Sequence, residues 1–211
     1  MGFKFNRNCR VESLEERLFG GRDRSGDAEM GEAGGEKQDA AKPSTIGQMV
    51  ETAERLFAGW GQELKKEERI CRLVRQFETN LENSRQAMHE LGIFRACARC
   101  DGSTPEGSCC SSGLERKYSP ILLLMSLMLG AALPRQRVRA DSCYFLGRKG
   151  CRLIARHMLC IDYFCPELEQ SLEPKALMKL QTLSGREIES AFLLQEAIKG
   201  EIAVFSKRLL P

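Results

Sequence analysis

Three features of the sequence predict a mainly α protein whose helices pack around a loop-rich segment stapled by cysteine-bound metal. Beyond residue 45, apolar residues recur largely at three- and four-residue steps, the period of one helical face. Runs of β-branched residues alternating with polar ones are missing, which argues against a sheet of any size. Eight of the ten cysteines fall between residues 97 and 165. A chain of 211 residues, 42% apolar and 29% charged, is large enough for one core.

Taken in order, residues 1–44 read as an N-terminal segment and linker. A helical turn through Val11, Leu14 and Leu18 precedes a Gly-, Ala- and charge-rich stretch, residues 20–44, which has too little apolar surface to offset its ordering entropy. Disorder is expected there. Residues 45–94 form a helical region. Thr45 and Gln48 have the spacing of a reciprocal cap, and Ile46, Met49, Val50, Ala53, Phe57 and Trp60 follow on one face. Gly59 and Gly61 mark an expected break. A second amphipathic helix over residues 62–91 carries Leu64, Ile70, Leu73, Val74, Phe77, Leu81 and Met88. Residues 95–166 are the cysteine region, within which the apolar run 121–133 is expected to form a helix packed on residues 62–91. Residues 167–211 complete the domain: Pro174 should split residues 166–183 into two short helices, and Ser184 with Glu187 repeats the capping spacing ahead of a closing helix.

The chemistry lies in the cysteines. Cys97 and Cys100 are two residues apart, Cys109 and Cys110 are adjacent, and after 32 intervening residues come Cys143, Cys151, Cys160 and Cys165. Cys9 and Cys71 stand apart. A C-x2-C pair on a tight turn brings two sulfurs to one tetrahedral centre at about 2.3 Å. Adjacent cysteines usually point apart, so one of Cys109 and Cys110 is available to the ion of Cys97 and Cys100 while the other serves a second ion or packs inward. A thioredoxin-type dithiol would need a βαβ setting, and here a Gly/Ser/Pro loop follows Cys100 instead. Structural disulfides fit poorly, because no apolar export signal opens the chain and cytoplasmic thiols stay reduced. The apolar run around residue 125 is too short to span a bilayer. A cytoplasmic location is expected.

Charge fits the same reading. Residues 95–165 hold eleven Lys and Arg against five acids, a formal +6, which two divalent ions on eight thiolates would bring to about +2. The basic residues then serve as counter-charges. With Arg135, Arg137 and Arg139 at its tip, the same cluster has the composition of a nucleic-acid patch, but it lacks interleaved aromatics, and the chain's net +3 is mild. Nucleic acid is not expected as a partner. His157 lies between Cys151 and Cys160 and is either a ligand or a half-buried neighbour of the site, whereas His89 reads as a surface residue.

The segments CARCDGSTPEGSCC and CYFLGRKGCRLIARHMLCIDYFC together resemble the CxxCxxCC (YkgJ-like) cysteine-cluster family of zinc- or iron-chelating proteins. Cys143, Phe145, Leu146, Gly150, Cys151, Arg156, Cys160 and Cys165 fall where the family pattern puts its second half. The loop before Cys109 is longer than usual in that family, and His157 stands where it commonly has proline. The resemblance covers about a third of the chain. It implies a metal site rather than a reaction, since the family includes oxidoreductase-like proteins and resembles a module of flagellin lysine methylases.

These readings give a metal-binding protein that holds zinc or an iron–sulfur cluster through Cys97, Cys100, Cys109, Cys110, Cys143, Cys151, Cys160 and Cys165, with a structural or electron-transfer task. The alternatives are a metal-dependent enzyme, methyltransferase-like or oxidoreductase, and a helical interaction or regulatory protein with a protein partner and purely structural zinc.

Overall fold

The structure, a computed structural model, describes residues 45–103, 108–148 and 150–209. The expected linker and N-terminal helical turn lie outside the described residues. What is described is mainly α: helices surround one two-stranded ribbon.

Helix α1, Thr45–Leu64, buries Ile46, Val50, Ala53 and Leu64. It runs through Gly59 and Gly61 without the expected break. Gly61 has a packing role there, since a Cβ would come within 2.7 Å of the Phe57 ring. The chain breaks later, between Leu64 and helix α2, Glu68–Glu90, where Glu67 is extended. The apolar pattern requires this. Leu64 and Ile70 are both fully buried, yet six residues of continuous helix would set them roughly 120° apart around its axis. Gly59 meets nothing near its missing Cβ. Gly59→Ala should therefore raise stability by about 0.5–1 kcal/mol, read as a higher urea midpoint at unchanged m-value.

Helix α3, Ile93–Ser103, follows Gly92, whose φ of 69° suits glycine at the turn. A 3-10 turn, Leu114–Lys117, leads to helix α4, Pro120–Met128. Ser119 caps α4 by accepting the Leu122 N–H at 3.2 Å, and Pro120 supplies its first turn. Contrary to expectation, α4 packs chiefly against α1 and not α2. It also stops before residue 130, where Gly130 turns at φ 91°. Strands β1, Leu146–Gly147, and β2, Gly150–Cys151, pair antiparallel, and helix α5, Met158–Asp162, precedes α6, Pro166–Ser171.

Pro174 does separate two helices, but the second, α7, runs unbroken over 36 residues, Pro174–Leu209. Ser184 and Glu187 open no new helix. They lie in its interior, fully buried, because Leu177 and Leu180 continue the same apolar face upstream. The helices α2 and α7 form the principal pair. One large apolar cluster joins α1, α2, α4 and α7 with Phe145, Leu153, Ile154 and Ala155. A smaller one joins the end of α2 and the start of α7 to Ile93, Phe164 and Leu168.

Candidate metal centre

Cys97 and Cys100 sit on α3, not on the tight turn their spacing suggested. Two residues three apart share one face of a helix, so the pair keeps its convergence. Cys109 and Cys110 precede the 3-10 turn, Cys143 precedes β1, and Cys151 ends β2. Cys160 lies in α5, and Cys165 is the residue before α6. All eight are thiols, with none joined in a disulfide. Cys71, read as isolated, is disulfide-bonded in α2, and its partner is none of these eight.

Backbone and charge join the two cysteine stretches. The Cys143 N–H donates to the Cys110 carbonyl at 2.7 Å, and Ser111 bridges Ser142. Beside this seam the buried Glu115 carboxylate accepts from the N–H groups of Gly113 and Tyr144 at 3.0 and 3.3 Å and pairs with Arg137. Arg137 in turn donates to the Ser142 carbonyl. Arg137 is therefore a structural clasp. Arg135 pairs with Glu54 at 2.8 Å and Arg139 with Asp141 at 2.9 Å, so the three arginines that suggested a basic tip each answer a carboxylate and not the thiols. Nothing in the spacing of Glu115 marks it in the sequence.

Burial alone would raise the Glu115 carboxyl, but its backbone and Arg137 hydrogen bonds, with those from Gly113 and Tyr144, hold it below its usual 4.5. Its contribution to stability is thus complete above pH 4.5 and is lost as pH falls through the depressed value. Glu115→Gln should cost about 3 kcal/mol at neutral pH, because it strands Arg137, and should flatten the acid limb of a urea-midpoint profile against pH.

The eight thiols form a linked series of electrostatic neighbours, Cys97 with Cys100, Cys109 and Cys165, and Cys110, Cys143 and Cys160 with Cys151, Cys109 touching both groups. Burial pushes the Cys97 thiol up to about 11, and Cys109, Cys165 and Cys100 press the same way. Cys110 is hydrogen-bonded to Cys109, and with burial and the nearby Cys109, Cys151 and Cys160 it is held far above the ordinary thiol value. Burial raises Cys143 to about 11, aided by Cys151 and Cys160. Burial also raises Cys160, whose sulfur lies 3.7 Å from the Tyr118 hydroxyl. These are neutral thiols in the ion-free protein, and a cation reverses that preference by stabilising thiolates. Among the described residues, no three His, Cys, Asp or Glu side chains already stand as a metal-binding group. The donor set is soft sulfur throughout, which suits zinc or iron–sulfur chemistry.

Two arginines, Arg156 and Arg85, do face the thiols through Cys151. Arg156 is buried, donates to Glu187 at 3.4 Å, and keeps an Nε without a hydrogen-bond partner. Burial opposes its charge, but Glu187, then Cys151 and Tyr118, outweigh that and hold it above its ordinary value. Nearby, Arg85 donates to the Leu153 and Ile154 carbonyls at 3.2 Å, and burial and Arg156 draw its pKa down to about 10. Glu187 was hidden in the sequence by its resemblance to a helix cap. Ser126, a polar interruption of the apolar run, accepts the Ala155 N–H at 3.0 Å and ties α4 to the bend leading to Arg156.

His157 caps α5, its Nδ1 accepting the Leu159 N–H at 3.2 Å, and its half-buried ring lies against Tyr118. Burial and then Lys117 lower its pKa. His89 is exposed, as its position suggested. Hollows in the surface are lined by Arg69, Arg72, Leu73, Gln76 and Leu193, and by His89, Gly92, Phe94 and Arg95. Neither borders a cysteine. Among the described residues no helix is long and apolar enough to cross a membrane. Comparison with protein-family models, with curated proteins and with solved structures gave no match.

Proposed function

We propose that the chain is a metal-binding cysteine-cluster protein of the CxxCxxCC (YkgJ-like) kind. In this reading Cys97, Cys100, Cys109, Cys110, Cys143, Cys151, Cys160 and Cys165 hold zinc or an iron–sulfur cluster for a structural or electron-transfer purpose. One observation carries the reading: eight thiols from two stretches of chain, none of them oxidised, converge beside a buried arginine. Thiols gathered in this way have no evident structural use beyond packing, whereas a cation among them would compensate the charge of their thiolates.

The residues have separate tasks. The sulfurs bind, while Arg156 offers the centre a positive charge and a spare donor. The Tyr118 hydroxyl holds Cys160 on one side and accepts the His157 N–H at 3.2 Å on the other. Glu115 and Arg137 keep the two stretches in register. When bound, zinc would supply a closed, redox-inert staple, and an iron–sulfur cluster would supply one-electron transfer.

Anaerobic purification of the full chain, followed by elemental analysis and an absorption spectrum, tests the proposal. At least one zinc ion in a colourless protein, or iron with sulfide in a brown one, is expected per chain. Stoichiometric absence of both overturns it.

A further inference from the structure

We infer that the eight cysteines form two adjoining four-sulfur sites, an inner one of Cys110, Cys143, Cys151 and Cys160 and an outer one of Cys97, Cys100, Cys109 and Cys165. The inference rests on the metal-binding reading above and specifies how its ligands divide.

The packing separates the two sets. Cys110, Cys143, Cys151 and Cys160 all pack on the large apolar cluster. Cys165 packs on the smaller one, beside Ile93 and Ala96 of the helix that carries Cys97 and Cys100. Exposure marks only the extremes. Cys143 of the inner set is buried and Cys97 and Cys109 of the outer set are exposed, while Cys100, Cys110, Cys151, Cys160 and Cys165 are all half-buried.

Connectivity agrees. Within the inner set, the Cys143 N–H bonds the Cys110 carbonyl, and β1 and β2 return Cys151 to the residues just after Cys143 through the Leu146 pairing. Tyr118 anchors Cys160 there and lies tilted against the Phe145 ring at 4.9 Å between centroids, Phe145 falling between Cys143 and the strand in the chain. In the outer set, α3 presents Cys97 and Cys100 three residues apart, and the start of α6 presents Cys165 to that helix. Cys109 is the hinge between the sets. It is adjacent to Cys110 in the chain, and the two thiols are hydrogen-bonded, which fixes the sites as neighbours. The electrostatic neighbours of Cys97 are the other three outer cysteines, and those of Cys143 include Cys151 and Cys160.

One buried charge is common to both sites, and solvent access separates them. Arg156, with an unpartnered Nε, acts on Cys151 and Cys160 of the inner set and on Cys97 of the outer one, so it is a shared counter-charge and a donor available to sulfur. The outer site opens to solvent through Cys97 and Cys109. Each site loses its thiol protons to water as a divalent ion binds. The inner ion is the structural one, and the outer ion is exchangeable.

The test uses the full chain, reduced and reconstituted with Zn2+ alone, with bound metal counted by elemental analysis and its release to a chelator followed in time. Two zinc ions per chain, released in a fast and a slow phase, are expected. A Cys97→Ser/Cys100→Ser double variant should retain its far-ultraviolet circular dichroism, lose the fast phase and keep one ion. A Cys143→Ser/Cys151→Ser variant should lose the slow phase, and if it does not fold, the surface variant still decides the matter. One zinc ion per chain, or loss of both ions in the Cys97→Ser/Cys100→Ser protein, overturns the division into two sites while leaving the metal-binding reading intact. No zinc retained at all overturns both.

Discussion

Stripping the metal that the proposed centre would hold is expected to destabilise the protein by about 10 kcal/mol, the order of the apparent binding energy of structural zinc in small thiolate domains. A loss of that size matches the whole stability of an ordinary domain, about 5–15 kcal/mol. It should not stay local. Phe145, Leu153, Ile154 and Ala155 lie between the cysteines in the chain and in the middle of the large apolar cluster, so loosening their loops opens the core. Trp60, the single tryptophan, stacks on Phe205 with ring centroids 5.2 Å apart and reports the α1–α7 end of that core. Chelation should lower the urea midpoint read by Trp60 fluorescence and speed proteolysis of the region around residues 130–151. Cys97→Ser and Cys160→Ser should each lower metal content, the second with the larger loss of protease resistance. An unchanged midpoint in a metal-stripped protein would count against any structural role for the ion.

The second large effect is expected at Glu187. Glu187→Gln leaves Arg156 charged and buried with no carboxylate, and breaking a buried pair in this way costs about 3–5 kcal/mol. Arg85 adds to the cost, since it shares the same pocket of positive charge and is already disfavoured by Arg156. A double variant, Arg156→Met with Glu187→Leu, removes both charges and should recover most of the loss, because apolar replacements of similar volume are often neutral or stabilising. A double-mutant cycle measured by urea denaturation gives the coupling directly. If the metal reading holds, the double variant should be as stable as the parent without metal and bind zinc more weakly. The structural and electrostatic tasks of Arg156 are thereby separated.

The helical architecture could be read from the sequence because it is written in local periodicity. Ile46, Val50 and Ala53, and then Val74, Phe77 and Leu81, repeat at steps that only a helix turns to one side, and all are buried. Boundaries were less legible. Gly59 and Gly61 looked like a stop, yet Gly61 makes room for Phe57 inside a continuous helix. Ser184 and Glu187 looked like a start, yet they serve the interior of α7. Both errors arise where a residue type associated with helix ends is used for packing or charge instead. The cysteines proposed as ligands stand out by their spacing, whereas the residues packed around them do not. Glu115, Tyr118, Arg137 and Glu187 meet their partners over separations of 22 to 42 residues, and no short-range pattern carries such information.

Helix α7 has a consequence of its own. Its 36 residues make a rod about 54 Å long at 1.5 Å per residue, entering the smaller cluster at Leu180 and the larger one at Leu194 and Ile198. Two nuclei threaded on one stiff backbone should not melt as separate foldons, so a disturbance near Cys165 is expected to reach the point where Trp60 meets Phe205.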